Sequence, residues 1–197
     1  MLKAIQEFAG SGRIWSVASR QDFVDRKYHA GAGTLFEKKS ASLRLESPPG
    51  IETRLAVWAL ALKGQTLYFF PDRILVYQGS QVGAVAYQDF SVSSEEVRFV
   101  EQDSVPSDTQ VVGQTWRYLN KDGTPDRRFS NNRQLPVVLY ADISLRSGTG
   151  LNVVLQSSNP SKASSFQSGL DGYLRWRARA SADQPASSPT SAVKPGR

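Results

Sequence analysis

From Leu55 to Gln156 the chain is a series of short apolar runs rich in Val, Ile, Leu, Tyr and Phe, each ended by a turn signal. No other feature limits the fold as strongly. Runs this short, with β-branched and aromatic residues between Gly, Pro, Asn, Asp and Ser, are the strands of an antiparallel sheet. They are Leu55–Leu62, Thr66–Phe70, Ile74–Tyr77, Val82–Tyr87, Val97–Val100, Val111–Leu119, Val137–Leu145 and Leu151–Gln156. Pro71-Asp-Arg73 and Gln78-Gly-Ser-Gln81 supply two tight connections, so residues 66–87 read as a three-stranded meander. Pro136 has no N–H to give a ladder, which places it at the start of its strand or on an edge.

Helical spacing appears only at the two ends. Leu2, Ile5, Phe8 and Ala9 share one face, and Gly10-Ser-Gly12 follows as a stop. Arg13–Ala18 reads as a strand, whereas the polar stretch 19–50, with Gly31-Ala-Gly33 and Pro48-Pro-Gly50, defines no element. Near the other end, Ala163, Phe166, Leu170, Tyr173 and Leu174 give a helix one apolar face to lay on the sheet. Gly169 and Gly172 each weaken that helix by about 1 kcal/mol relative to Ala. Beyond Ala180 the only large apolar residue is Val193, too little to offset the entropy of ordering. The expected organisation is one mostly β domain over 1–180, with a core at 51–178 and an N-terminal extension at 1–50, then a disordered tail at 181–197.

Composition narrows the function classes. The absence of cysteine excludes a disulfide scaffold, a thiolate nucleophile and a Cys-ligated zinc or iron–sulfur site. No run reaches the roughly 18 apolar residues of a membrane span, and the first residues lack a signal-peptide core, so a cytoplasmic protein without a membrane span is expected. Lys and Arg number 24 against 18 Asp and Glu, a net charge of +6 that favours an acidic partner.

The segment Gly64-Gln-Thr-Leu-Tyr-Phe-Phe-Pro-Asp-Arg-Ile-Leu-Val-Tyr77, followed by Val82-Gly-Ala-Val-Ala-Tyr-Gln-Asp-Phe90, resembles the early strands of bacterial pleckstrin-homology-like and GRAM-like domains. The resemblance covers 51–178 and implies a mainly β, pleckstrin-homology-like antiparallel sheet or barrel closed by the C-terminal helix. Trp116-Arg-Tyr-Leu-Asn-Lys-Asp-Gly-Thr-Pro-Asp-Arg-Arg-Phe129, with Asn132-Arg-Gln-Leu-Pro136, also looks like an uncharacterised bacterial family found in larger multidomain proteins. That second likeness implies no activity.

The candidate site lies in the same stretch. Arg117, Lys121, Arg127, Arg128 and Arg133 outnumber Asp122 and Asp126, and Trp116, Tyr118 and Phe129 are interleaved with them. Guanidinium groups beside aromatic planes suit carboxylate or phosphate recognition. The plain alternative is that Lys121-Asp-Gly123 makes a turn, Asp126 pairs with a neighbouring arginine and the aromatics are core. Trp176, inside Arg175-Trp-Arg-Ala-Arg179 and off the apolar face of its helix, is a second anchor candidate. The neighbouring arginines are otherwise explained by the helix C-terminal dipole. An opposite patch, Glu95, Glu96, Glu101, Asp103 and Asp108 against Arg98, invites head-to-tail association and argues against nucleic acid.

Catalytic signals are sparse. His29, in Arg26-Lys-Tyr-His-Ala-Gly-Ala-Gly-Thr34, sits in a glycine-rich stretch that lacks the Gly-Lys-Ser/Thr of a phosphate loop, and reads as a surface or structural histidine. Asp25, Glu37 and Lys39 form an Asp…Glu-x-Lys arrangement that resembles the core of PD-(D/E)xK nucleases, in which two carboxylates hold a divalent ion. The reading that follows is a non-catalytic module without cofactor, recognising an acidic protein surface or a second copy of itself. A nucleic-acid-binding domain is the alternative, and a metal-dependent nuclease the third.

Overall fold

The computed structural model describes residues 1–17, 38–52 and 56–182, with residues 181 and 182 described by their backbone only. His29, Asp25 and Glu37 lie outside the described residues. In chain order the elements are α1 (Leu2–Ala9), β1 (Ile14–Val17), β2 (Lys39–Ser40), β3 (Ser42–Glu46), β4 (Val57–Leu62), β5 (Gln65–Phe69), β6 (Arg73–Gln78), β7 (Gln81–Ala86), a 3-10 turn (Tyr87–Asp89), β8 (Phe90–Val100), β9 (Gln110–Trp116), β10 (Gln134–Ser147), β11 (Asn152–Ser157) and α2 (Pro160–Ala182). The fold is mainly β, in two antiparallel sheets, with one helix near each end.

Strands β3 to β7 form an uninterrupted meander. Gly64 and Gly79 make two of its turns at positive φ, 89° and 58°, where a side chain is strained. Strand alternation sends Leu60, Leu67, Phe69 and Ile74 into the main core. On the opposite face Val57, Ala59 and Tyr68 form a smaller cluster with Phe70, Leu75 and Tyr77.

The other sheet runs β2-β1-β11-β10-β8, with β9 also on β10. Its axis is β10, long enough to serve three neighbours. One edge pairs with β8 from Val137 to Ser147; the other pairs with β9 over 134–139 and with β11 over 141–146. Strands β9 and β11 therefore lie end to end. Pro136 stands just before the β8 ladder starts at Val137, and its carbonyl accepts the Glu101 N–H at 3.0 Å. A residue's N–H and C=O lie on the same edge of a strand, so the missing donor falls where that ladder ends.

Residues before Ile51 are part of this core. Helix α1 has eight residues, too few to persist alone, but Ile5 and Phe8 are fully buried. Each contributes about 1.5–3 kcal/mol by leaving water. Phe8 stacks on Phe166 of α2 at 4.5 Å, and Gly169 lets the helices approach at Ala4, where an added Cβ would lie 2.3 Å from the Ala4 Cβ. Strand β1 occupies an interior place in its sheet, between β2 and β11.

Candidate functional site

The connection from β9 to β10 carries the basic residues singled out above, and it is braced from within. The Arg117 N–H donates to the Arg133 carbonyl at 2.9 Å, continuing the ladder past the strand ends. Asn132 then clamps the two limbs: its Oδ1 accepts the Tyr118 N–H at 3.0 Å, and its Nδ2 donates to the carbonyls of Tyr118 (2.8 Å) and Asp126 (3.1 Å). At the tip, Asn120 accepts the Gly123 N–H through its carbonyl at 3.0 Å, and Gly123 has a φ of 82°. The carboxylate of Asp122 accepts the Thr124 N–H and hydroxyl at 3.0 and 2.7 Å, and these bonds hold its pKa below the usual carboxylate range.

Asp126 is the buried centre of the loop, with a relative exposure of 4%. It accepts the Nε of Arg128 at 2.9 Å, the Nη2 at 2.6 Å and the Arg128 backbone N–H at 3.0 Å. The Arg128 side-chain bonds, then the backbone bond, lower the Asp126 pKa, and the same pairing raises that of Arg128. Tyr118 and Phe129 stack on each other at 4.1 Å, and the Arg117 guanidinium lies 5.3 Å from the Tyr118 ring centre. Phe129 stays 43% exposed, so that stack belongs to the loop surface.

The five basic side chains thus divide by role. Arg128 is spent on Asp126, Arg133 donates to the Gln102 carbonyl at 3.0 Å, and Arg117 rests against Tyr118. Lys121 and Arg127 are exposed and make no ion pair or hydrogen bond among the described residues. Arg127 borders an open depression of about 640 Å³ lined also by Asn120, Thr124, Pro125, Asp126 and Arg128. Sequence reasoning did not single out Asn120, Thr124 or Asn132. The one signal available was their spacing around Gly123, which marks a turn but not a clamp.

Trp176 lies on a different surface. It is 59% exposed and stacks on Tyr173 at 5.6 Å; Tyr173 in turn meets Tyr87 edge-on at 5.3 Å. The Tyr173 hydroxyl and Arg177 Nη1 both donate to the Pro71 carbonyl, which ties the end of α2 to the β5–β6 turn. The Tyr87 hydroxyl donates to the Phe70 carbonyl at 2.8 Å, and burial pushes that phenol's pKa far up. Among the described residues no hydrogen bond, ion pair or ring contact joins Trp176 to the β9–β10 loop.

The acidic stretch is smaller at the surface than in sequence. Glu95, Glu96 and Asp103 are exposed. Glu101 is buried and accepts the Tyr140 hydroxyl at 2.6 Å, while Asp108 accepts the Gly12 N–H and the Ser158 hydroxyl at 2.7 and 2.8 Å. Both are used inside the fold. Among the described residues no three His, Asp or Glu side chains converge as metal ligands, and no helix is long and apolar enough to cross a membrane. Comparison of the chain with family models, curated proteins and solved structures finds no match.

Proposed function

We propose that the chain is a non-catalytic binding module whose β9–β10 loop docks on an acidic protein surface, with Lys121 and Arg127 as the contacting cations. One observation carries this reading: Asp122, Asp126 and Asn132 are matched within the loop, whereas Lys121 and Arg127 make no ion pair or hydrogen bond among the described residues and Arg127 borders an open depression. A loop already ordered loses little entropy on binding, and exposed like charges steer an oppositely charged partner into place. Arg128 then serves as a brace, and Trp176 as an anchor for a separate contact.

A second copy of the chain, presenting Glu95, Glu96 and Asp103, is the self-associating form of the same reading. Nucleic acid is the alternative ligand for the same cations. It is disfavoured because Tyr118 and Phe129 stack on each other, which leaves fewer ring faces for bases. The pleckstrin-homology-like relationship, a bacterial origin and a cytoplasmic setting belong to this proposal; the five-stranded meander, the second antiparallel sheet and the packed C-terminal helix support the first.

Affinity capture from host lysate, with and without nuclease treatment, tests the reading. A specific protein retained after nuclease and lost with Arg127→Glu supports it. Recovery of nucleic acid, or loss of every partner on nuclease treatment, replaces it with the alternative. The nuclease reading stands or falls separately, on divalent-ion-dependent cleavage that Glu37→Ala abolishes.

A further inference from the structure

Three rings from three strands surround one ammonium group. Trp15 of β1 and Tyr140 of β10 have centroids 5.3 Å apart, and Phe99 of β8 lies 5.6 Å from Tyr140 and tilted from it by only 24°. The Nζ of Lys38 is 3.5 Å from the Phe99 centroid, 4.6 Å from that of Trp15 and 5.0 Å from that of Tyr140. All three lie within the roughly 6 Å over which a ring face attracts a cation.

The strand register explains why the rings meet. Trp15 pairs with Gln156, Gln156 with Asp142, and Asp142 with Glu95. Tyr140 and Phe99 stand an even number of residues from that row, so strand alternation puts all three rings on one face. The strand register, and not Lys38, therefore brings the three rings to one face. Tyr140 is held further by donating its hydroxyl to Glu101 Oε2, while Glu101 Oε1 accepts the Gln102 and Asp103 N–H groups at 3.0 and 3.1 Å. Trp15, Phe99 and Lys38 keep part of their surface exposed, which gives the box a rim.

A lysine ammonium is a compact, strongly hydrated charge that loses water on entering such a box. An alkylated ammonium spreads its charge over methyl groups and is the cation that ring faces accept most readily. We propose that Trp15, Phe99 and Tyr140 form a binding box for an alkylated ammonium group of the trimethylammonium type, and that Lys38 occupies it as the chain's own competing ligand. An outside ligand then binds with an apparent affinity reduced by the fraction of time the box is closed.

Choline chloride is the probe, added to the full chain while the Trp15 indole N–H is followed by NMR, the resonance being assigned by its loss in Trp15→Phe. Lys38→Met removes the charge and keeps most of the side-chain volume. This variant is expected to bind choline saturably, about tenfold or more tighter than the wild-type chain. Its affinity for 3,3-dimethylbutanol, the neutral isostere, is expected to be about tenfold weaker than for choline. No saturable shift in Lys38→Met, or equal affinity for the neutral isostere, would overturn the proposal. If Lys38→Met does not fold, the Lys38 ε-methylene protons of the wild-type chain report instead. Ring currents hold them upfield, choline must move them toward the free-lysine position, and no movement at high choline overturns the proposal.

Discussion

Asp126 and Arg128, two positions apart, hold one another three ways: through Nε, through Nη2 and through the Arg128 backbone N–H. This closes the turn that throws the intervening Arg127 outward. Two adjacent arginines with the same charge therefore do different work, one as part of the frame and one as part of the surface.

The pairing has a pH signature. Arg128 lowers the Asp126 pKa below its ordinary value of 3.8, and Thr124 does the same for Asp122. A depressed folded-state pKa stabilises the fold fully above the unfolded value and loses that contribution as pH falls through the folded value. The loop is thus expected to stay ordered at pH 4 and to loosen only at more acidic pH. An NMR titration of the Arg128 and Thr124 amides checks this; midpoints at or above 3.8 would show that neither carboxylate is held as described.

Two glycines of α2 are expected to respond to alanine with opposite signs. At Gly172 an added Cβ meets nothing within 4 Å, so Gly172→Ala gains helix propensity, stabilising by about 0.5–1 kcal/mol. At Gly169 the Cβ collides with that of Ala4, and Gly169→Ala is expected to cost about 1–3 kcal/mol as α1 is pushed away. Urea unfolding of the two variants side by side measures the difference. Equal shifts would mean that the α1–α2 contact is looser than its geometry.

Tyr140→Phe keeps the ring and deletes the donor to a buried carboxylate. Among the described residues Glu101 then keeps its two backbone N–H partners alone, and the expected loss is about 1.5–3 kcal/mol. Chemical denaturation checks this, and a change below about 0.5 kcal/mol would place the Glu101–Tyr140 bond among those that contribute little.

The parts of this fold that were legible in sequence are those where one strand face is apolar and the turn is short. The β5–β6–β7 meander lies within a residue of its sequence reading because Leu67, Phe69, Ile74 and Val85 alternate inward between glycine and proline turns. The first half of β8 was not legible: its residues 91–96 are Ser, Val and Glu, and only Val92 is buried there. The β10 ladder holds that half in place, so the signal lies in the partner strand. Strand β3 was missed for a related reason. It is an edge strand whose Leu43 is half-buried and whose Leu45 is 57% exposed, which leaves Arg44 and Glu46 to dominate its composition. At the candidate site the turn and an Asp126–arginine pair were readable as alternatives, but spacing alone does not say which arginine turns inward. That choice is made by the Asn132 clamp, fourteen residues from its partner Tyr118. The box around Lys38 was invisible for the same kind of reason, since its rings come from three strands that only the register brings together.

The most direct test of the docking loop is to measure partner affinity and melting temperature together for Lys121→Glu/Arg127→Glu. The account predicts binding weakened about tenfold or more, because the surface cations are reversed. It also predicts a melting temperature within about 1 °C of wild type, because neither side chain braces the fold. Unchanged affinity in a folded variant, or a melting temperature that falls as far as the affinity does, would contradict it.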